Sequence, residues 1–431
     1  MTDIPKFSEN NMVWNKPKAN PSEAISAEII IAGDWAPIRK FNRPAAETPA
    51  LLYGDTLGFL QSSDFRIINL ECPLSNRGNP IKKSGTVFKG ENIHTGALKT
   101  VPFDMVTLAN NHVFDYGLDA FSETLTNLNT AGILHAGAGL TRNEAEKPVI
   151  CTVNNLKLAV FNFCEGEDML TAGCMNNGCN GVNSAAGGSA LLPPGDYGVH
   201  GWKSDAVAES IRKIKPQVSC VIAIVHCGPE YIPLPPPYVV HTLRKLADAG
   251  ADAVIAHHPH VPQGVEIYNG VPIFYSLGNF IFYQETDLYY RKNGYMIKLR
   301  MNDDGVKRFE IFPYRINDNG ISCLSTVERR DFFSQLYKVS EPLSDAARIR
   351  DGWLGFLHYY GKKGFISEVE KILSIMKTDP EKGAAMFRNR LTAAQHYTHW
   401  VDFLTQVISG THAPENSWAY ALVNEYFDKK I

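Results

Sequence analysis

Five apolar runs along this chain each end in a polar residue able to bind a metal or move a proton. Ile29-Ile30-Ile31-Ala32 leads to Gly33-Asp34, and Arg66-Ile67-Ile68-Asn69-Leu70 leads to Glu71, with Pro73 stopping further extension. Met105-Val106-Thr107-Leu108-Ala109 leads to Asn110-Asn111-His112, with Asp115 and Gly117 beyond. Val221-Ile222-Ala223-Ile224-Val225 leads to His226-Cys227-Gly228 and Glu230-Tyr231, and Ala253-Val254-Ile255-Ala256 to His257-His258-Pro259-His260. Short runs of β-branched and small apolar residues bounded by turn formers predict buried strands. Helical spacing recurs between them, as over Leu118 to Asn129 ahead of a strand near Ile133, so the rhythm predicts an α/β architecture.

Runs at Lys147 to Val153 and Leu156 to Phe163, parted by Asn154-Asn155, predict a hairpin and therefore a mixed sheet. Two more strands, Gly294 to Leu299 and Phe309 to Pro313, flank the turn Asn302-Asp303-Asp304-Gly305. After about residue 330 the pattern changes to helical spacing, as in Arg329 to Leu336 and Asp345 to His358. The expected organisation is an N-terminal arm (1–26), an α/β domain (27–330) and a helical region (331–431) that caps the domain or makes a subunit contact, so an oligomer through these helices is allowed. Its His396 and His399 could join a site, but they read more readily as a packed or exposed pair.

Composition narrows the function. A chain of 431 residues can bury a large core, and its net charge of −3 leaves no basic stripe for nucleic acid. The sequence has no apolar run long enough to span a bilayer. Its first 27 residues, with Pro5, Pro17, Pro21 and several asparagines, lack the apolar core of a signal peptide, so a cytoplasmic location is expected. Cys151, Cys164 and Cys220 sit in or beside apolar strands as small hydrophobes. Cys174 and Cys179 flank a Gly/Asn-rich loop and read as reduced and non-ligating.

Open α/β sheets gather ligands at the C-terminal ends of their strands. Imidazole nitrogen combined with carboxylate and amide oxygen suits Mn, Fe, Zn or Co. Asp34 or Glu71 as a bridge between His-rich halves permits a two-metal hydrolytic centre, leaving His112, oriented by Asp115, as general acid or oxyanion donor. Glu230 can orient a ligand or serve as a base. Tyr231, in the Pro-rich "EYIPLPPPY", shapes a pocket wall or packs a helix N-terminus. Arg77, Lys82, Lys83 and Lys89 either bring positive charge toward an anionic substrate or form a solvated basic loop. Asn279, after Gly278, is a site donor or merely a turn leaving a strand.

Taken in order, "AGDW", "NLECPLS", "LANNHVFDYG", "GAGLTRNEAEKPV", "HCGPEY" and "AHHPHVPQGVEIYNGVPIFYSLGNFIF" closely resemble the poly-γ-glutamate capsule protein CapA family, within the calcineurin-like metallophosphoesterase superfamily. The resemblance spans roughly residues 27 to 285. It implies a four-layer α-β-β-α sandwich with the metals at one edge, to which the helical C-terminal extension read from the spacing is added. It also implies a divalent metal, one or two ions, held by Asp34, Glu71, Asn111, His226, His258 and His260, with His112 as acid or transition-state stabiliser, and it favours a site role for Asn279. Two departures stand out. Ala36 occupies the place of a first-block His, and Glu71 replaces a bridging Asp, so a single ion, or two of unequal affinity, is as compatible as a full dinuclear centre. The function implied is metal-dependent hydrolysis of an anionic polymer or small molecule, either a γ-glutamyl amide or a phosphoester. The alternative is a non-catalytic capsule-biosynthesis component that binds polymer and partner subunits.

Overall fold

In chain order the main strands of the computed structural model are β1 (Ala27–Ala36), β2 (Phe65–Leu70), β3 (Met105–Thr107), β4 (Leu134–Ala136), β5 (Val149–Val153), β6 (Leu156–Cys164), β7 (Cys220–His226), β8 (Ala253–His257), β9 (Val265–Tyr268), β10 (Val271–Phe274), β11 (Asn279–Phe282), β12 (Asn293–Asn302) and β13 (Gly305–Asn317). The structure describes residues 2–17, 24–165, 204–411 and 417–431, with the backbone alone of two-residue strands at 182–183, 190–191 and 198–199. Cys174, Cys179 and their loop lie outside the described residues.

The strands form two sheets. One runs β13-β12-β1-β2-β3-β4, with β1 to β4 parallel and β11 lying parallel beside the end of β1. The other runs β9-β10-β8-β7-β6-β5, parallel at its centre, with the expected β5–β6 hairpin at its edge. The expected turn closes the β12–β13 hairpin, where Asn302 pairs with Gly305.

Alternation along each strand decides the layers. Ile29, Ile31, Ile67 and Met105 face Leu158, Val160, Ile222, Ile224 and Ile255 across the space between the sheets. Their neighbours Ile30, Ala32, Ile68 and Val106 pack outward against helix α1 (Gly117–Ala131) through Phe121, Leu125 and Leu128. On the far side Ala159, Phe161, Val221, Ala223 and Val254 meet α2 (Ser204–Ile214) and α3 (Pro237–Asp248). The result is a four-layer α-β-β-α sandwich. Each aliphatic side chain sealed in it contributes about 1.5–3 kcal/mol. A one-residue slip would turn every one of them to the wrong face.

Six further helices follow: α4 (Thr326–Ser340), α5 (Ala346–Lys363), α6 (Phe365–Thr378), α7 (Pro380–Thr392), α8 (Ala394–Ser409) and α9 (Trp418–Asp428). They dock on the sandwich. Trp353, Phe356 and Leu357 of α5 cluster with Val423 of α9 and with Ile232 from the loop after β7. Tyr426 stacks on Tyr290 at 3.5 Å and donates to the Pro262 carbonyl at 3.0 Å. Among the described residues, no helix is long and apolar enough to cross a membrane.

The N-terminal stretch differs from the arm expected. Val13–Asn15 pairs with β13 and Thr2–Asp3 with β9, giving each sheet an edge strand. Aromatic packing holds it there, with Trp14 stacked on Phe309 at 5.1 Å and Phe7 wedged against Phe309 and Phe333.

Candidate metal centre

A bulge opens the site. Between Ala32 and Asp34 the register of β1 shifts against β2, and such bulges re-aim side chains. Gly33 makes the bulge tolerable, because a Cβ there would sit 2.1 Å from the Gly278 carbonyl oxygen. Asp34 is thereby aimed into the cleft at the ends of both sheets, where Asn69 of β2 donates to its Oδ1 at 2.8 Å.

Around it gather Glu71, Asn111, His226, His257, His258 and His260, all at most 7% exposed. His226 Nε2 lies 2.9 Å from Asn111 Oδ1 and 3.4 Å from Glu71 Oε1, and His260 Nε2 lies 3.7 Å from the same carboxylate oxygen. His260 Nδ1 donates to Asn279 Oδ1 at 2.9 Å, which leaves Nε2 to the cluster. His258 and His260 both have positive φ, +99° and +57°. Backbone strain of about 1–3 kcal/mol at each is the kind that concentrates at functional sites.

The donor set fits a divalent metal. Glu71, His258 and His260 each offer a ligand atom within 4.8 Å of the others. Asp34 Oδ2, both Glu71 oxygens and both His258 nitrogens are buried with no hydrogen-bond partner among the described residues. Buried polar atoms without partners are expensive, and ligation is the ordinary way of satisfying such a group. Metal bonds of about 2.0–2.2 Å set neighbouring donors roughly 3 Å apart, close to the spacings here.

The electrostatics agree. Burial, together with the Asp34 charge, pushes Glu71 well above the usual carboxylate range. Burial also works against Asp34, but the His257 and His260 imidazoles beside it, at 3.2 and 3.3 Å, hold it well below its ordinary value. Burial, with His258 beside it, keeps His226 well below the usual imidazole range, and burial takes His258 down to about 4. His260 goes the other way, to about 10, because the Glu71 and Asp34 carboxylates outweigh its burial.

Beside the cluster His112 Nδ1 donates to Asp115 Oδ2 at 2.6 Å, while Lys83 Nζ donates to Asp115 Oδ1 and to the Asn111 carbonyl, both at 2.7 Å. The Phe88 amide donates to Asp115 Oδ2 at 2.7 Å. Burial, with the Lys83 charge, lowers the His112 pKa. These groups open onto a cavity of about 550 Å³, lined on the sandwich side by Asn111, His112, Glu230, Tyr231 and His260. Burial opposes the charge of Glu230, yet His258 and His260 hold its pKa below the ordinary value.

Several expected positions lie elsewhere. Arg77 pairs with Glu123 at 3.6 Å, and Lys89 lies 4.4 Å over the Tyr116 ring, so neither lines the cavity. Lys82 reaches outward to Glu381. Asn279 is fully buried behind His260 and touches the cluster through it. The helical region does reach the site. Asn389, Arg390, Gln395 and His396 of α7 and α8 form the opposite wall of the cavity, so His396 is not simply packed or exposed. His399 does pack, edge-on against Tyr360 at 4.8 Å.

The sequence reading gave no role to Asn69, Arg39, Arg291 or Arg390, and it named His257 in the histidine-rich run without placing it in the ligand set. Alternation along β8 was the available signal for His257: it shares the inner face with Ile255, and its Nδ1 lies 3.2 Å from Asp34 Oδ1.

Comparison with known proteins agrees with the sequence motifs. The profile of "Bacterial capsule synthesis protein PGA_cap" matches residues 28–284. The chain is 27% identical over 288 residues to "Capsule biosynthesis protein CapA" of Bacillus anthracis, covering 65% of each chain. It is 27% identical over 301 residues to "PGA biosynthesis protein CapA" of Bacillus subtilis (strain 168), covering 69% of this chain and 73% of that one. A hypothetical protein from Thermus thermophilus, of known crystal structure, aligns over 67% of this chain and 99% of its own with a TM-score of 0.39 and 13% identity. The matched segment contains every residue of the buried cluster, and the chain belongs to the CapA family of bacterial capsule synthesis proteins.

Proposed function

We propose that this protein is a metal-dependent hydrolase acting on an anionic substrate, a γ-glutamyl amide bond of a poly-γ-glutamate-type polymer. The observation that carries the reading is the buried donor set of Glu71, His258 and His260, in which Glu71 and His258 have no hydrogen-bond partner among the described residues and His260 lines the cavity. Asp34, Asn111 and His226 would complete the metal-holding set, which suits Mn, Fe or Zn. A bound divalent ion supplies Lewis acidity that activates water and polarises a carbonyl. Asn279 keeps the His260 ring turned so that Nε2 faces the cluster. With Nδ1 committed to Asp115, His112 exchanges protons through Nε2. Its lowered pKa makes the protonated form a strong donor to a leaving nitrogen. Glu230, held ionised on the cavity wall, can take a proton from the attacking water. A phosphoester would meet the same groups.

The printed names of the relatives favour a second reading, because they speak of biosynthesis rather than cleavage. In that reading the cavity binds polymer during assembly and breaks no bond. Asp34→Ala and His258→Ala variants separate the two. With the fold intact by circular dichroism, the hydrolase reading expects each to lose at least about a hundredfold in turnover of γ-glutamyl peptides together with metal content. Unchanged polymer binding, and no turnover even in the unmodified protein, would favour the assembly role.

A further inference from the structure

The wall of the cavity beside the metal cluster carries two guanidinium groups that the chemistry above leaves without a task. Arg291, on the short helix Tyr289–Lys292, lies over the Tyr231 ring with its guanidinium carbon 3.6 Å from the ring centre. That ring lies 5.8 Å from the His260 ring, so the cation sits one aromatic ring away from a candidate ligand. Arg39 lies on the same cavity and is anchored through a single hydrogen bond from Nη1 to the Tyr283 carbonyl at 3.1 Å. Neither arginine forms an ion pair with a described residue. The cavity's other cations are already matched, Lys83 by Asp115 and Arg390 by Glu368. Arg39 and Tyr231 also hold positive φ, +54° and +65°, a conformation that side-chain-bearing residues rarely adopt.

Stacking fixes the plane of a guanidinium while leaving its N–H edge open, and that edge matches a carboxylate or phosphate two oxygens at a time. We propose that Arg291, braced on Tyr231, and Arg39 form an anion-binding station that takes a carboxylate of the substrate other than the one at the reacting bond. In a γ-linked glutamyl chain every unit carries a free α-carboxylate beside its amide, so a station next to the metal cluster would set which bond comes to the centre. Glu230, nearer the histidines, would repel a carboxylate placed too deep. The proposal rests on the hydrolase reading for its choice of substrate. As an anion site it stands on the two arginines alone.

The test is calorimetric titration of the whole manganese-loaded chain with γ-linked triglutamate and with the same peptide amidated at its α-carboxylates. The native chain should bind the acid roughly ten- to a hundredfold more tightly than the amide. Arg291→Gln should abolish most of that gap, Arg39→Gln part of it, and Arg291→Lys should restore some. Thermal melts identify any variant that has failed to fold, and the Arg39 arm then decides. A gap that survives both Gln variants, or no gap in the native chain, would overturn the proposal. So would Arg291-dependent binding of inorganic phosphate without discrimination between the peptides. Turnover in the native chain with a gap indifferent to Arg291 sinks the station and spares the hydrolase. A gap that depends on Arg291, with no turnover under any metal, does the reverse.

Discussion

Asp115 shows how closely the site's proton chemistry is tied to stability. Its carboxylate is fully buried between Lys83, whose side chain is 2% exposed, and His112. Burial works against its charge, but Lys83 and His112 outweigh that and lower its pKa. The unfolded chain therefore binds the proton more readily. The stabilisation is complete above the ordinary value of 3.8 and is lost as pH falls through the lower folded value. Asp115→Asn strands the lysine and should cost about 3–5 kcal/mol at neutral pH, with a flatter acid limb, read from urea midpoints between pH 7 and pH 3. Identical midpoints for variant and native chain would rule out this role. Asn279→Ala should behave differently. It frees the His260 ring, so metal affinity should fall roughly 10- to 100-fold while kcat at saturating metal is largely kept. A loss of kcat with unchanged affinity would place Asn279 on the substrate instead.

Among the elements, the bulged end of β1 is the most sensitive joint. Gly33→Ala would drive a methyl into the Gly278 carbonyl and separate β1 from β11, with an expected loss of roughly 2–4 kcal/mol and of bound metal together. A variant as stable and as metal-rich as the native chain would contradict this packing account. Joints of this kind explain what could be read from sequence. Strand ends were legible because short apolar runs bounded by turn formers predict buried strands, and the polar residues at those ends, Asp34, Glu71, Asn111, His226, His258 and His260 among them, meet in space; the choice of these six as ligands came from the family resemblance. The loop of residues 77–89 carried no periodicity. Its charges therefore gave no hint that Lys83 turns inward to Asp115 while Arg77 and Lys89 turn away. The helical region expected after residue 330 takes in α7 and α8, but an apolar stripe says only that a face is buried, not against what. Lys382 supplies the missing link by donating to the carbonyls of Lys83 and Gly85 at 2.8 and 2.9 Å. Lys382→Ala should speed amide exchange in α7 without changing that of β1, and equal protection in both would show that the wall is held by other contacts.

At the scale of the molecule, the sandwich and the helical wall enclose a cavity that borders the buried donor set. A ligand that binds only the folded chain stabilises it by mass action, about 2.7 kcal/mol at a hundred times its dissociation constant. Chelation should therefore lower the melting temperature, and manganese or zinc should restore it. Calcium, which takes six to eight oxygen ligands, should restore it poorly against this imidazole-rich set. The most direct measurement is elemental analysis of the purified chain and of its Glu71→Gln and His258→Ala variants, made alongside hydrolysis of a γ-linked glutamyl peptide. The account predicts one or two transition-metal ions per native chain, loss of metal in both variants, and turnover that follows metal content. A native chain that takes up no transition metal, or variants that keep it in full, would contradict the metal centre on which the proposed hydrolysis depends.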